Sequence, residues 1–274
     1  MRMLKRNAEF ILSQISSSDI VLDIGGWAQP FNRADYVLDV LPYETRGFFG
    51  HQGPATERFS KETWIRHDFS PSKPLPFHDK EIDYVVCSHT LEDIRDPIYL
   101  CSEINRIGKR GYIEVPSRVI ESVIGLEGEA YAGYCHHRWL VEIEDNEVSF
   151  RFKSHLLHES WKYHLPKVFA QRLTEEEKVS YLFWENSFSY REVIQVSRLG
   201  IEKDLVDFVQ RFNAYPAWYY LYDTANQPIG TLLRKLMVMY PVLKRLAEKL
   251  VGRTISTSSD WEKFWSQVNE ISSR

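Results

Sequence analysis

The stretch that decides the fold is IVLDIGGW, residues 20–27. Its first five residues are apolar except for Asp23, and the run ends at Gly25 and Gly26. A short apolar run that stops at turn residues is typical of a strand buried on both faces, as in a parallel sheet covered by helices. We therefore predict that this stretch forms one strand of such a sheet.

Three similar runs lie downstream, at residues 36–40, 82–87 and 112–115. Apolar residues recur at helical spacing before the first strand, at 4–15, and between the last two runs, at 98–107. Strands that alternate with helices favour βαβ units. The sequence therefore predicts an α/β fold with a doubly wound, Rossmann-like, mostly parallel sheet.

The second half of the chain changes character. Two pairs of strand-like runs flank short polar turns, one pair at 139–143 and 148–152 and the other at 179–184 and 188–196. We predict that each pair forms a hairpin, because antiparallel strands commonly close a mostly parallel sheet at one side. From residue 201 onward the pattern is helical.

The composition is that of an ordinary folded protein, with 43% hydrophobic and 26% charged residues among 274. A net charge of −4 and the lack of a basic groove argue against a nucleic-acid partner. The first residues lack the continuous apolar region of a signal peptide. The three cysteines, Cys87, Cys101 and Cys135, are too few for a disulfide framework, so we expect a reducing, cytoplasmic location.

The residues just after each strand are the first candidates for ligand binding, because ligands of such sheets bind at the carboxyl ends of the strands. Asp39 ends the second run, and a carboxylate there can accept hydrogen bonds from both hydroxyls of a ribose. Neither of the glycine-rich motifs that cradle phosphates is present. A nucleoside cofactor without a phosphate cradle favours S-adenosylmethionine over NAD or ATP.

The order of motifs resembles that of the class I S-adenosylmethionine-dependent methyltransferases, in particular the type 11-like group, over residues 20–116. The motifs that carry the resemblance are VLDIGG, YVLDV, RHDF, PLPFHDKEIDYVVCSHTLEDIRDP and LCSEINRIGKRGYIEVP. The resemblance implies a seven-stranded sheet with antiparallel strands at its C-terminal side, a methyltransferase-like domain at residues 1–200 and a helical extension at 201–274.

The same resemblance implies which residues bind the cofactor. Gly25 and Gly26 would contact the methionine part, Asp39 the ribose and Asp68 the adenine amino group, with Ser88 and His89 near the sulfonium and Asp23 at the end of the first strand. Asp68 has an alternative interpretation as the cap of the following Ser-Pro segment. Cys87 and Cys101 are best explained as small core residues.

Two features depart from the family pattern. Trp27 stands where the family has a third glycine, and residues 26–36 leave little room for the usual first crossover helix. The indole would either pack over the cofactor or close the pocket. A methyltransferase-fold binding protein without catalysis therefore stays open as an alternative to the active enzyme.

The acceptor is expected to be a small polar or sugar-like molecule that is methylated at a hydroxyl oxygen. Such an oxygen gains acidity as it bonds to carbon, so a nearby base helps. The candidate catalytic residues are His89, His136 and His137, and the candidate substrate-binding residues are Glu92, Arg118, Tyr134 and Arg138.

His136 and His137 allow three interpretations: side chains that face the substrate, surface or interface histidines, and metal ligands. Adjacent side chains in an extended segment point in opposite directions, so one ion is not easily bound by both. We therefore predict no metal site.

A basic segment at residues 228–253 contains six Lys or Arg residues and one Glu, with apolar residues at helical spacing. This composition suits an interfacial helix that contacts a membrane peripherally. It also suits a helix whose apolar stripe packs on the domain or forms a homodimer. We favour this second interpretation because such stripes usually face a core.

Overall fold

The computed structural model of the protein describes residues 2–70, 72–128, 130–212 and 214. The helices are α1 Lys5–Gln14, α2 Pro97–Ile107, α3 Arg118–Glu121, α4 Lys167–Ala170 and α5 Arg198–Gln210. The strands are β1 Val21–Ile24, β2 Tyr36–Asp39, β3 Trp64–Arg66, β4 Tyr84–Ser88, β5 Arg110–Pro116, β6 Trp139–Glu144, β7 Glu147–Phe152, β8 Val179–Glu185 and β9 Ser189–Glu192. Three short 3-10 helices lie at Tyr43–Thr45, His155–His158 and Trp161–Tyr163.

The main sheet has the strand order β3-β2-β1-β4-β5-β8. Its first five strands are parallel, and β8 runs antiparallel to β5 along one edge. The α/β, mostly parallel, Rossmann-like architecture expected from the apolar runs is therefore confirmed. Within the described ranges the sheet contains six strands, where the resemblance implied seven.

Side chains of the central strands alternate between two cores. Leu22, Ile24 and Leu38 face the core that contains α2, whereas Val21 and Val37 face the core that contains α1. All four residues of β1 are buried, so its apolar run reflects burial on both faces.

The hairpin predicted at 139–152 forms, but it lies outside the main sheet. β6 and β7 pair antiparallel, and β9 adds to β7 in parallel to complete a separate three-stranded sheet. Val141, Val148 and Phe150 bring this small sheet onto the core that contains α2.

The second predicted hairpin is wrong. β8 pairs with β5 over the whole register from Arg110↔Glu185 to Pro116↔Val179, and β9 pairs with β7. The reason is that β5 would otherwise present an open edge, and a full-length partner satisfies its backbone groups. β9 is then free to extend the small sheet.

The connection from β1 to β2 contains no helix, as the short spacing between Gly26 and Tyr36 indicated. Phe31 and Ala34 of this connection are fully buried beside α1. The N-terminal helix and this loop together cover the face that a crossover helix would otherwise cover.

Residues 201–210 of the predicted helical extension belong to α5. The rest of that extension, including the basic segment 228–253, lies outside the described residues, apart from 211, 212 and 214. No helix among the described residues is long and apolar enough to span a bilayer.

The packing of α2 gives a stability prediction. Ile104 is fully buried between α2 and the sheet, so Ile104→Ala should leave a cavity and lower the free energy of unfolding by about 2–5 kcal/mol. Ile194→Ala, at an exposed position, should change it by less than about 0.5 kcal/mol. Urea denaturation of both variants measures the difference, and equal losses would contradict this account of the core.

Candidate active site

A cavity of about 540 Å³ opens at the carboxyl ends of β1, β2 and β4. Six of the seven predicted cofactor residues line it, namely Asp23, Gly25, Gly26, Asp39, Ser88 and His89. Parallel strands end at the same edge of a sheet, which is why residues far apart in sequence meet here.

The two glycines allow the turn after β1 to pass close to Thr90, which follows β4, and to Asp23 of β1. Gly25 has a φ of 77°, and a Cβ at this position would lie 1.9 Å from the Thr90 hydroxyl oxygen. A Cβ at Gly26 would lie 2.2 Å from a carboxylate oxygen of Asp23. A side chain at either position would therefore clash with these atoms, and the turn would have to move.

Asp23 organises this turn. Its Oδ2 accepts a hydrogen bond of 2.8 Å from the backbone N–H of Phe31, at the far side of the loop. Burial raises the pKa of Asp23 to about 7. The residue thus lines the cavity while one of its oxygens holds the β1–β2 connection in place.

Asp39 ends β2 with its carboxylate in the cavity wall. Its two oxygens accept backbone N–H groups, Oδ2 from Trp27 at 3.1 Å and Oδ1 from Leu41 at 2.8 Å. Burial raises the pKa of this carboxyl group. Each carboxylate oxygen has more than one lone-pair site, so both retain capacity for a ligand diol.

Trp27 forms part of the cavity rim and leaves the cavity open. Its indole N–H donates to the carbonyl oxygen of Thr45 at 2.7 Å, and its ring stacks on Phe48 with centroids 5.8 Å apart. Phe48 is 70% exposed and Phe49 48% exposed. The rim therefore presents aromatic surface to solvent beside the cavity.

Asp68 lies outside the cavity wall. Its side chain is exposed, and Oδ1 accepts the backbone N–H of Ser70 at 2.8 Å. No helix begins next to Asp68 in the described residues, so this contact closes a turn of the loop and is not the helix N-cap considered as an alternative. The neighbouring Phe69 lines the cavity instead.

His89 is held by two buried carboxylates. Its Nε2 lies 3.0 Å from Glu114 Oε1, and its Nδ1 lies 3.6 Å from Glu92 Oε1. Burial, the largest single effect, lowers the pKa of His89, but the hydrogen bond with Glu114 and the charges of Glu114 and Glu92 raise it to about 9. The two carboxylates thus favour the protonated form of the imidazole.

Glu92 presents a buried carboxylate to the cavity. The residue is 1% exposed, and neither carboxylate oxygen has a hydrogen-bond partner among the described residues. The Ser88 hydroxyl beside it is also buried without such a partner in the described ranges. A buried carboxylate of this kind favours a cation or a hydrogen-bond donor in the cavity.

His136 and His137 lie side by side, contrary to the expectation that they point apart. Residues 135 and 136 form a turn, which places the two ring centroids 4.4 Å apart. Nε2 of His137 is 3.7 Å from Asp93 Oδ1, and Nε2 of His136 is 4.0 Å from the same atom. The extended geometry assumed for this segment was wrong, because the turn rotates both rings toward the cavity.

A buried network orients His137. Its Nδ1 lies 2.7 Å from Glu121 Oε1, and the Lys153 ammonium donates to Glu121 Oε2 at 2.6 Å. Burial, the largest effect, lowers the pKa of His137, but Glu121 more than offsets this and the pKa is raised. The contact with Glu121 occupies Nδ1 and leaves Nε2 for the cavity.

The remaining predicted substrate residues divide into two groups. Tyr134 and Glu92 line the cavity, whereas Arg118 and Arg138 are not part of its wall. The buried Arg118 guanidinium instead pairs with Glu142 at 3.2 Å and with Asp204 at 2.5 Å, joining α3 to β6 and α5.

Sequence reasoning did not select Asp93, Glu114, Glu121 or Glu127 as site residues. Asp93 directly follows Glu92 after β4, so the strand-end rule could have included it. Glu114 carries a different signal, because it is a charged residue within the apolar run of β5.

A family model described as "Methyltransferase domain" matches residues 54–113. The match begins before β3 and ends within β5, so it includes the loop after β4 that forms one side of the cavity. Over these residues the chain is similar to a methyltransferase domain. No curated protein matches the chain.

Several solved methyltransferases match part of the chain at low sequence identity. An S-adenosylmethionine-dependent methyltransferase from Mesorhizobium loti is 15% identical, with a TM-score of 0.29, covering 54% of this chain and 66% of that one. One from Aquifex aeolicus is 15% identical, with a TM-score of 0.26, covering 41% and 65%. Phosphoethanolamine N-methyltransferase 1 of Haemonchus contortus, solved with phosphoethanolamine and S-adenosylhomocysteine, is 14% identical, with a TM-score of 0.33, covering 80% and 48%. The chain thus spans between about half and two thirds of the length of these methyltransferases.

The charge of His89 gives a pH prediction. A histidine whose pKa rises on folding stabilises the protein fully below its unfolded pKa of about 6.5, and this contribution is lost as pH rises through about 9. The contribution is on the order of 3 kcal/mol, and His89→Asn, which tolerates the φ of 54°, should remove it.

Denaturation of both proteins from pH 6 to pH 10 measures this effect. The free energy of unfolding of the native protein should fall relative to that of His89→Asn between pH 6.5 and 9. Parallel pH profiles for the two proteins would show that His89 titrates near its ordinary value.

Proposed function

We propose that the protein is an S-adenosylmethionine-dependent methyltransferase that methylates a small polar or sugar-like acceptor at a hydroxyl oxygen. The observation that carries this proposal is the placement of Asp39 at the end of β2, facing the same cavity as the Gly25-Gly26 turn and the loop after β4. A ribose-binding carboxylate and a tight glycine turn together suit a nucleoside cofactor.

The lack of a phosphate cradle supports the choice of cofactor. The β1–β2 connection contains no helix within the described residues, so no helix N-terminus faces the cavity from that side. Glu92, with its buried carboxylate, adds negative charge to the wall, which disfavours a pyrophosphate and suits the positive sulfonium of S-adenosylmethionine.

The size of the cavity supports a small acceptor. Pockets for a single drug-sized ligand measure roughly 300–1,000 Å³. A cofactor with an adenosine and a methionine part fills much of a 540 Å³ cavity. The space left for the acceptor lies toward Asp93, Tyr134, His136 and His137.

Transfer to oxygen forms a C–O bond as the C–S bond of the sulfonium breaks, and the hydroxyl proton must leave. Protein groups mainly align the two reactants, because the cofactor supplies the activated carbon. We assign acceptance of this proton to the side of the cavity where His136 and His137 adjoin Asp93.

A cytoplasmic location belongs to the same proposal. It is supported by three free cysteines, of which Cys87 and Cys101 are buried and Cys135 is exposed. An exposed thiol persists most readily in a reducing compartment.

Cofactor binding tests the proposal through a matched pair of variants. Asp39→Asn removes a charge-assisted contact to the ribose and should weaken binding of S-adenosylmethionine by about 10–100-fold. Asp68→Asn alters an exposed carboxylate outside the cavity and should leave the affinity unchanged. Isothermal calorimetry measures both, with NAD as the comparison ligand and circular dichroism as the check on folding.

The opposite pattern of results would assign the adenosine contacts elsewhere. If Asp68→Asn weakens binding and Asp39→Asn does not, the cavity described above is not the cofactor site. Heat with NAD and none with S-adenosylmethionine would indicate a different class of enzyme.

Methyl transfer itself is tested with methyl-labelled cofactor. The protein is incubated with the label and a fractionated lysate, and mass spectrometry then identifies the methylated species. We expect a small molecule that gains one methyl group on oxygen. Cofactor binding without any labelled product in any fraction would favour the non-catalytic binding protein.

A further inference from the structure

We propose that Asp93, His136 and His137 bind a divalent transition-metal ion, of which Zn²⁺ is the model, in the wall of the cofactor cavity. One ligand atom from each of the three residues lies within 4.8 Å of the other two. All three residues line the cavity, so a bound ion would face its interior.

The separations are close to those of a metal site. Zn–N and Zn–O bonds of about 2.0–2.1 Å in a tetrahedron place neighbouring ligand atoms about 3.3 Å apart. The Asp93 Oδ1 atom lies 3.7 Å from His137 Nε2 and 4.0 Å from His136 Nε2. The two separations from Asp93 Oδ1 need to shorten by less than about 1 Å to reach that value. His136, 57% exposed at its side chain, is free to make most of that movement.

The His137 imidazole is oriented as metal-binding histidines usually are, and the His136 imidazole has a carboxylate on the same side beyond hydrogen-bond distance. A ligand histidine generally donates its second N–H to a carboxylate, which fixes the tautomer and the ring. Nδ1 of His137 lies 2.7 Å from Glu121, whose other oxygen is held by Lys153. Nδ1 of His136 lies 3.7 Å from Glu127. In each ring Nε2 is therefore the atom directed at Asp93.

The carboxylate of Asp93 supplies a second reason for a cation. Asp93 Oδ1 is a buried atom without a hydrogen-bond partner among the described residues. Buried carboxylate oxygens without partners are costly unless a cation or donor meets them. A divalent ion at this point satisfies Asp93 and lies beside Glu92.

The ligand types indicate which metals fit. Two imidazole nitrogens and one carboxylate suit Zn²⁺, Fe²⁺, Co²⁺ or Ni²⁺ better than Mg²⁺ or Ca²⁺, which prefer oxygen ligands. Three protein ligands leave a position open for a further oxygen, as in catalytic rather than structural zinc sites.

The metal site itself does not depend on the proposed function, but the role of the ion in methyl transfer rests on it. An acceptor hydroxyl on the ion would lose its proton to solvent more readily, because a divalent metal lowers the pKa of a bound hydroxyl. The oxygen would then take the methyl group, with the C–S bond breaking and S-adenosylhomocysteine leaving. His136 and His137 would act as ligands and the metal would take over the activation that a base otherwise provides.

A second group of possible ligands shares His136. Glu127, Cys135 and His136 also bring ligand atoms within 4.8 Å of one another, but all three residues are exposed. That group lacks His137 and its buried partner Glu121. Cys135→Ser therefore discriminates between the two sets.

Cobalt binding tests the site without cofactor or acceptor. The full chain, free of any histidine tag and stripped by chelator, is titrated with Co²⁺ while visible absorption is recorded. We expect saturation at one ion per chain, displacement by Zn²⁺, and unchanged binding in Cys135→Ser. Asp93→Asn and His136→Ala should lose at least about tenfold in affinity, and Glu121→Gln about 10–100-fold. Circular dichroism verifies that each variant is folded.

The outcomes separate this inference from the proposed function. No saturable absorption in the folded native protein, or loss of binding in Cys135→Ser alone, would overturn the metal site whatever the calorimetry with S-adenosylmethionine shows. Full methyl transfer by the chelator-stripped protein would overturn the catalytic role of the ion. Recovery of turnover on adding Zn²⁺ or Co²⁺ would support it.

Discussion

The structure depends on one buried carboxylate, that of Glu114 in the middle of β5. The residue is 0% exposed, and its oxygens meet the backbone N–H of Leu4, the hydroxyl of Tyr112 and the imidazole of His89. A buried carboxylate without partners would be strongly destabilising, so these partners are required together. The negative charge also lies at the N-terminus of α1, where the helix dipole favours it.

The contact between Glu114 and His89 shapes the candidate site. His89 adopts a φ of 54°, which a non-glycine residue holds only when its surroundings enforce it. This conformation turns the chain sharply after β4, and residues 90–93 then run along the cavity. Glu92 and Asp93 reach the cavity wall because the contact between His89 and Glu114 of β5 holds that turn in place. The acidic side of the cavity is thus a consequence of a buried ion pair in the sheet.

Local patterns predicted which strand-end residues line the cavity, but they did not predict the grouping of side chains around His136 and His137. The strand-end rule found Asp39 and the Gly25-Gly26 turn because it depends only on where apolar runs stop. The grouping of Asp93 with His136 and His137 depends on a turn at residues 135–136, which carries no strong sequence signal. The pairing of β8 with β5 was missed for a related reason, since competition between distant strands decides it. The adenine-binding role that the resemblance implies for Asp68 stays a prediction, and in the structure its carboxylate accepts the backbone N–H of Ser70.

The contact between Leu4 and Glu114 joins residues 110 positions apart. During synthesis the N-terminal helix emerges first, but its buried partner exists only after β5 has left the ribosome. A ten-residue helix is marginal in water on its own. The contact of α1 with Glu114 therefore forms only after β5 has been made, and closing so long a loop slows folding.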